Sequence, residues 1–223
     1  MASTDEQKTS VPVPKPPTYR SAARHMISTS IGYDTSVVCV LAAYEQVADP
    51  ADPAQACFDV VQLQYLNGLT HPQVVNNVAL TLKRPPLPGS EFDLVVDETV
   101  IFGAGDAFKG LGKSPKRTII TAGNTATQDG FRWTLGQQVM LSKLTSALHQ
   151  GELKIAKELT GAPALEAAIR EANAGATGVV DHNPLLFATA IGLWHADKWW
   201  RGSLGRREPR VLHGYAKQKG FKQ

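Results

Sequence analysis

Three apolar, strand-like runs follow one another in the first third of the chain, with no helical pattern between them. Residues 26–31 form a short strand candidate, Gly32-Tyr33-Asp34-Thr35 a turn, and residues 36–45 (SVVCVLAAYE) a long apolar strand. Residues 26–46 therefore read as a hairpin. After a proline-marked loop (ADPADPAQA), residues 57–66 (CFDVVQLQYL) alternate as a third strand. Only then does a helix begin, at His71-Pro72, with Val74, Val75, Val78, Leu80 and Leu82 as its apolar face and Pro85-Pro86 as its stop. Opening hairpins of this kind separate the chain from a doubly wound dinucleotide fold.

The pattern then alternates. Residues 93–97 (DLVVD) are a buried strand ending on a carboxylate, and residues 102–111 read as helical despite their glycines. Residues 117–122 (RTIITA) are a strand followed by a Gly/Asn turn. Residues 136–150 are a helix with Val139, Leu141, Leu144 and Leu148 inward and Gly151 as its stop. Residues 153–155 are a short edge segment, and 164–172 and 183–200 are helices. The predicted class is α/β, a mixed sheet with antiparallel opening strands and then parallel ones, flanked by helices. No GxGxxG follows a strand and no GxxxxGK[ST] occurs, so this sequence does not encode a nucleotide-binding motor.

A length of 223 residues fits one domain with tails. No apolar run approaches the roughly 18 residues of a membrane span, and the N-terminus lacks the apolar core of a signal peptide. Cys39 and Cys57 lie within apolar runs and read as buried small hydrophobes in a reducing compartment. None of the six histidines forms an HExxH pair and the two cysteines form no CxxC, which argues against a zinc site.

Charge is uneven. From Trp199 onward, Arg201, Arg206, Arg207, Arg210, Lys217, Lys219 and Lys222 face a single acid, Glu208, while the body is net acidic by about five charges. Residues 1–20, polar and rich in proline, predict an extended arm able to lie across a neighbouring subunit. The expected organisation is arm (1–20), domain (21–200) and basic tail (201–223), the tail being a handle for DNA or an acidic partner, or a solvated extension.

Five segments in order carry a family resemblance: ISTSIGYDTSVVCVL, PPLPGSEFDLVVDET, ITAGNTATQDGFRW, LSKLTSALHQGELKIAKEL and DHNPLLFATAIGLWHA. Over residues 26–200 the chain resembles the RNase H-like nuclease domain that ends phage terminase large subunits. The third segment is similar to that family's glycine turn and polar hairpin. The resemblance implies metal-assisted phosphodiester cleavage, with three acidic clusters holding paired Mg²⁺ or Mn²⁺ ions.

Position by position, the acids are incomplete. Asp97, with Glu98 beside it, matches the fourth-strand acid, whereas Ser30 stands where the first-strand acid belongs and Asp34 matches a second, non-catalytic aspartate. In the last helix Asn183 and Pro184 replace both carboxylates of an HDD motif, with Asp181 just upstream. The lysine-bearing VPK before the long helix is Thr134-Leu135-Gly136. Asp97 is the matching candidate catalytic residue, and Asp34 and Asp181 join it as candidates in a centre where the three converge. Asp97 and Asp181 are the candidate Mg²⁺ or Mn²⁺ ligands, and a centre without metal is the other expectation. Candidate DNA- or partner-binding residues are Arg201, Arg206, Arg207, Arg210, Lys217 and Lys219.

Two functions follow. One is a catalytically silenced domain binding DNA or phage structural or packaging proteins in a phage or prophage-derived system, in the bacterial cytoplasm or the virion, with any motor on another chain. The other is a working Mg²⁺- or Mn²⁺-dependent endonuclease whose Asp34, Asp97 and Asp181 converge in a rearranged centre. His182 reads as a helix-entry residue and His195 as structural. Of Trp194, Trp199 and Trp200, at least one is expected at the surface, as an interface or a base-stacking platform. The loop holding Gly105, Lys109, Gly110 and Lys113 either connects or approaches phosphates.

Overall fold

The computed structural model describes residues 18–47, 55–174 and 181–204. Most of the predicted arm and tail lie outside these residues. One eight-stranded sheet runs through the described chain, in the order β6-β7-β5-β4-β1-β2-β3-β8. Its first three strands, β1 (Thr18–Ser30), β2 (Thr35–Val47) and β3 (Gln55–Asn67), form an antiparallel meander. After helix α1 (His71–Thr81), strand β4 (Phe92–Asp97) pairs parallel with β1, and β5 (Lys116–Thr121) pairs parallel with β4. Antiparallel opening strands followed by parallel ones make the mixed α/β sheet, flanked by helices, that the element order predicts.

A short 3-10 helix (Ala104–Leu111) joins β4 to β5, bounded by Gly103 and Gly112. Both glycines hold positive φ, which a side chain would resist. Beyond β5, residues 126–136 form a hairpin of β6 (Ala126–Asp129) and β7 (Arg132–Gly136), with β7 parallel to β5. Residue patterning gave only a turn after β5. The reason is physical: every side chain of β6 is exposed, so no apolar alternation marks it.

Helix α2 (Gln137–His149) leads to the three-residue edge strand β8 (Leu153–Ile155), paired parallel with β3. Helices α3 (Ala162–Ala174) and α4 (Pro184–Leu204) complete the described chain. Strand alternation divides the core between the two faces of the sheet. On one face Met26, Val37, Cys39, Leu41 and Val95 pack with α2, α3 and α4. On the other Ile27, Ile31, Val38, Val40, Leu94 and Val96 pack with α1 and the 3-10 segment.

Helix α4 lies close against β1 and β2. Ser28 Oγ donates to the carbonyl of Ala188 at 2.6 Å, and a Cβ on Gly192 would stand 2.5 Å from Ser28 Oγ. Glycine at 192 thus lets the helix approach the sheet. Cys39 and Cys57 are both buried. No described helix is long and apolar enough to cross a membrane.

Candidate functional site

One row of register partners crosses the sheet: Ser30 beside Asp97, Asp97 beside Thr118, and Thr118 beside Trp133. Partners in a ladder share a face, so all four side chains point toward α4. Ser30, Asp97 and Thr118 are fully buried.

Asp97 is held from every side. Ser30 Oγ donates to its Oδ2 at 2.7 Å, and His182 Nε2 lies 3.3 Å from the same oxygen and 3.3 Å from Ser30 Oγ. The other oxygen, Oδ1, accepts the backbone N–H of Thr99 at 2.9 Å and a short hydrogen bond from the Thr99 hydroxyl. Thr99 Oγ1 in turn accepts the Ile120 N–H at 2.8 Å, tying the loop after β4 to β5. A carboxylate has about four acceptor directions; Ser30 and the two Thr99 donors take three of them, and His182 takes the fourth when its Nε2 carries the ring proton. The His182 ring stands edge-on to Phe187, 5.1 Å between centroids.

Asn183 and Pro184, which stand where the resemblance expects last-helix acids, start α4. Asn183 Oδ1 accepts the Leu186 N–H at 3.1 Å, and Pro184 is the first helical residue, where its missing N–H costs no hydrogen bond. Asp34 is exposed in the turn between β1 and β2, its carbonyl accepting the Gly68 N–H. Asp181 is exposed just before α4. Neither hydrogen-bonds to Asp97 or its partners, and among the described residues no three His, Cys, Asp or Glu side chains are grouped to hold a metal ion.

The donor set therefore does not fit a pair of divalent ions. Such ions require several anionic or carbonyl oxygens, whereas Asp97 is surrounded by a hydroxyl, an imidazole and Thr99 donors aimed at its oxygens. As arranged, the centre locks the ends of β1 and β4 to the entry of α4. The sequence reading did not find the roles of Thr99 and His182. Thr99 two residues after a strand-end Asp is a turn signal that could have shown the first.

Glu98 points to the opposite face and is equally buried. It pairs with Arg132 at 3.1 Å and Arg117 at 3.7 Å, and accepts the Gly105 N–H at 2.8 Å. His195 lies deep under β5, 2.9 Å from Thr118 Oγ1 and edge-on to Trp133 and Trp194. Burial above all, helped by Lys116 and Lys198, pushes its ring down to about 3, so it stays neutral.

Of the candidate binding residues, Arg201 is described, and it forms ion pairs with Glu152 at 2.6 Å and with Asp197. Its guanidinium, ahead of Lys143, holds the Glu152 carboxyl below the usual range. Arg206, Arg207, Arg210, Lys217 and Lys219 lie outside the described residues. Trp200 is buried, with its indole N–H on Asp93 at 3.1 Å, while Trp199 is 45% exposed beneath the Lys116 ammonium.

No protein-family model matches this chain, and no curated protein does. Among solved structures it is similar to the large terminase nuclease from thermophilic phage G20c, at a TM-score of 0.48 and 14% identity, over 78% of this chain and 83% of that one. It is also similar to Thermus thermophilus RuvC, at a TM-score of 0.36 and 12% identity, over 77% of this chain and 92% of that one.

Proposed function

We propose that this chain is a nuclease-like domain whose acidic centre has become a structural clasp, and that it serves as a DNA- or protein-binding component of a phage or prophage-derived system. One observation carries the reading: the buried Asp97 carboxylate is fully engaged by Ser30, Thr99 and His182. A metal ion bound there would have to displace those donors and would gain no second carboxylate from Ser30 or Asn183. Asn183 and Pro184 support the same reading, since both are spent on starting α4. The basic residues after Trp199 supply charge for a DNA or acidic protein partner.

The test is a Mn²⁺ titration by calorimetry on the full chain and on Asp97→Ala, with plasmid nicking measured alongside. The expected result is no saturable binding and no nicking by either protein. Saturable binding with nicking, both lost in Asp97→Ala, would replace this reading with that of a working endonuclease.

A further inference from the structure

Arg117 and Arg132 are register partners on β5 and β7, in the same row as Val96. Val96 belongs to the core on the α1 side, so both arginines point away from the Asp97 clasp, toward the 3-10 segment. There they line a cleft of about 340 Å³ with Lys109, Ser114, Asp129 and Phe131. That volume is the size of a small-ligand site.

The charges in the cleft are not equally available. Arg117 is committed to Asp106 and the buried Glu98. Arg132 gives only its Nε to Glu98, at 3.1 Å, and the face of its guanidinium lies 4.3 Å over the Phe102 ring. Its two terminal amino groups have no partner among the described residues, so a fork of donors is fixed in direction and left open. Lys109 is held by the exposed Asp106 alone, a surface pair that a ligand anion can readily displace.

Aromatic surface adjoins the fork. Phe131 is 83% exposed and Phe102 71%, although both are large apolar side chains. Phe131 sits directly before Arg132 at the tip of the β6–β7 hairpin, and no described residue covers its ring. An open ring beside a fixed guanidinium suits a planar group carrying an anion. The local acids, Asp106, Asp129 and Glu98, balance the local cations, so the cleft suits one phosphate with its base better than a long run of duplex phosphates.

We propose that this cleft binds a single nucleotide unit, its base stacked on Phe131 and its phosphate on the Arg132 fork, supplied by a free nucleotide or by an unpaired stretch of a strand. This inference rests on the DNA-binding form of the function proposed above.

The test is fluorescence anisotropy of labelled dT12 on the full chain, competed with dTMP, inorganic phosphate and a 12-base-pair duplex. Variants are Phe131→Ala, Phe131→Trp and Arg132→Lys, each checked for folding by circular dichroism. Phe131→Ala is expected to weaken dT12 binding about tenfold and Phe131→Trp to retain it. Arg132→Lys should weaken dT12 and dTMP alike. Competition by dTMP as well as dT12 would show that a free nucleotide suffices, and competition by dT12 alone that the unit is read within a strand. Phosphate competing as well as dTMP would overturn base stacking. Undiminished dT12 binding in Phe131→Ala and Arg132→Lys would overturn this site and leave the DNA-binding function standing. No binding of any strand or nucleotide would overturn both the site and the DNA form of the function, leaving a protein partner.

Discussion

Ser30 Oγ donates to Asp97 Oδ2 at 2.7 Å across a single register pair of β1 and β4. Both residues are fully buried, so the bond is a neutral donor serving a buried charge. Ser30→Ala should lower stability by about 1.5–3 kcal/mol, the range for hydrogen bonds to charged groups. Ser30→Asp should lower it further, because two carboxylates would face each other without solvent, and added Mn²⁺ should recover part of that loss in this variant only. Urea unfolding with and without Mn²⁺ reads both effects. A Ser30→Asp protein as stable as the parent in chelator would sink the argument.

Asn183 acts as the cap of α4, and its side-chain carbonyl is the part that matters. Asn183→Ala should cost about 1 kcal/mol, whereas Asn183→Asp, an equally good cap, should stay within a few tenths. Equilibrium unfolding of the pair separates capping from any need for the amide. Equal losses in the two variants would show that the amide nitrogen is what counts.

His195 ties stability to pH. Its folded-state value lies near 3, below the ordinary 6.5, so the unfolded chain binds a proton that the folded chain excludes. Its contribution is complete above about pH 6.5 and is lost progressively as pH falls toward 3, reaching about 2 kcal/mol at pH 5. Burial lowers His25 as well, so His195→Gln should reduce the slope of stability between pH 7 and 5 without abolishing it. An unchanged slope in urea titrations of His195→Gln would exclude this cause.

Gly192 sets the distance between α4 and the sheet. An added methyl would meet Ser28 Oγ at 2.5 Å and Leu41 Cδ1 at 3.0 Å, so Gly192→Ala should destabilise by about 1–3 kcal/mol. Ser28→Gly removes the nearer obstacle, and the double variant should be more stable than the sum of the single losses implies. Strict additivity in a double-mutant cycle would place the strain elsewhere.

The patterning of the chain alone determined most of the architecture. Period-two runs before the first helix, then strands and helices in alternation, are enough to require antiparallel pairing first and parallel pairing after it. Asp97 was legible too, since a carboxylate closing the apolar run LVVD must sit at a strand end. The hairpin at 126–136 was not legible from its residues, because β6 buries nothing and leaves no period.

What sequence could not decide was the company that Asp97 keeps. Ser30 is 67 residues away and His182 is 85, and only the β1–β4 register and the entry of α4 bring them onto one oxygen. Strand alternation sets Asp97 and Glu98 on opposite sides, but the sequence could not show that one enters a clasp under α4 and the other lies beneath Arg132. Adjacent strand residues diverge by geometry, while the partners each one meets are supplied by distant parts of the chain. Local propensity marked most of the elements but not the β6–β7 hairpin, and the packing of α4 against β1 and β4 fixed the chemistry between them.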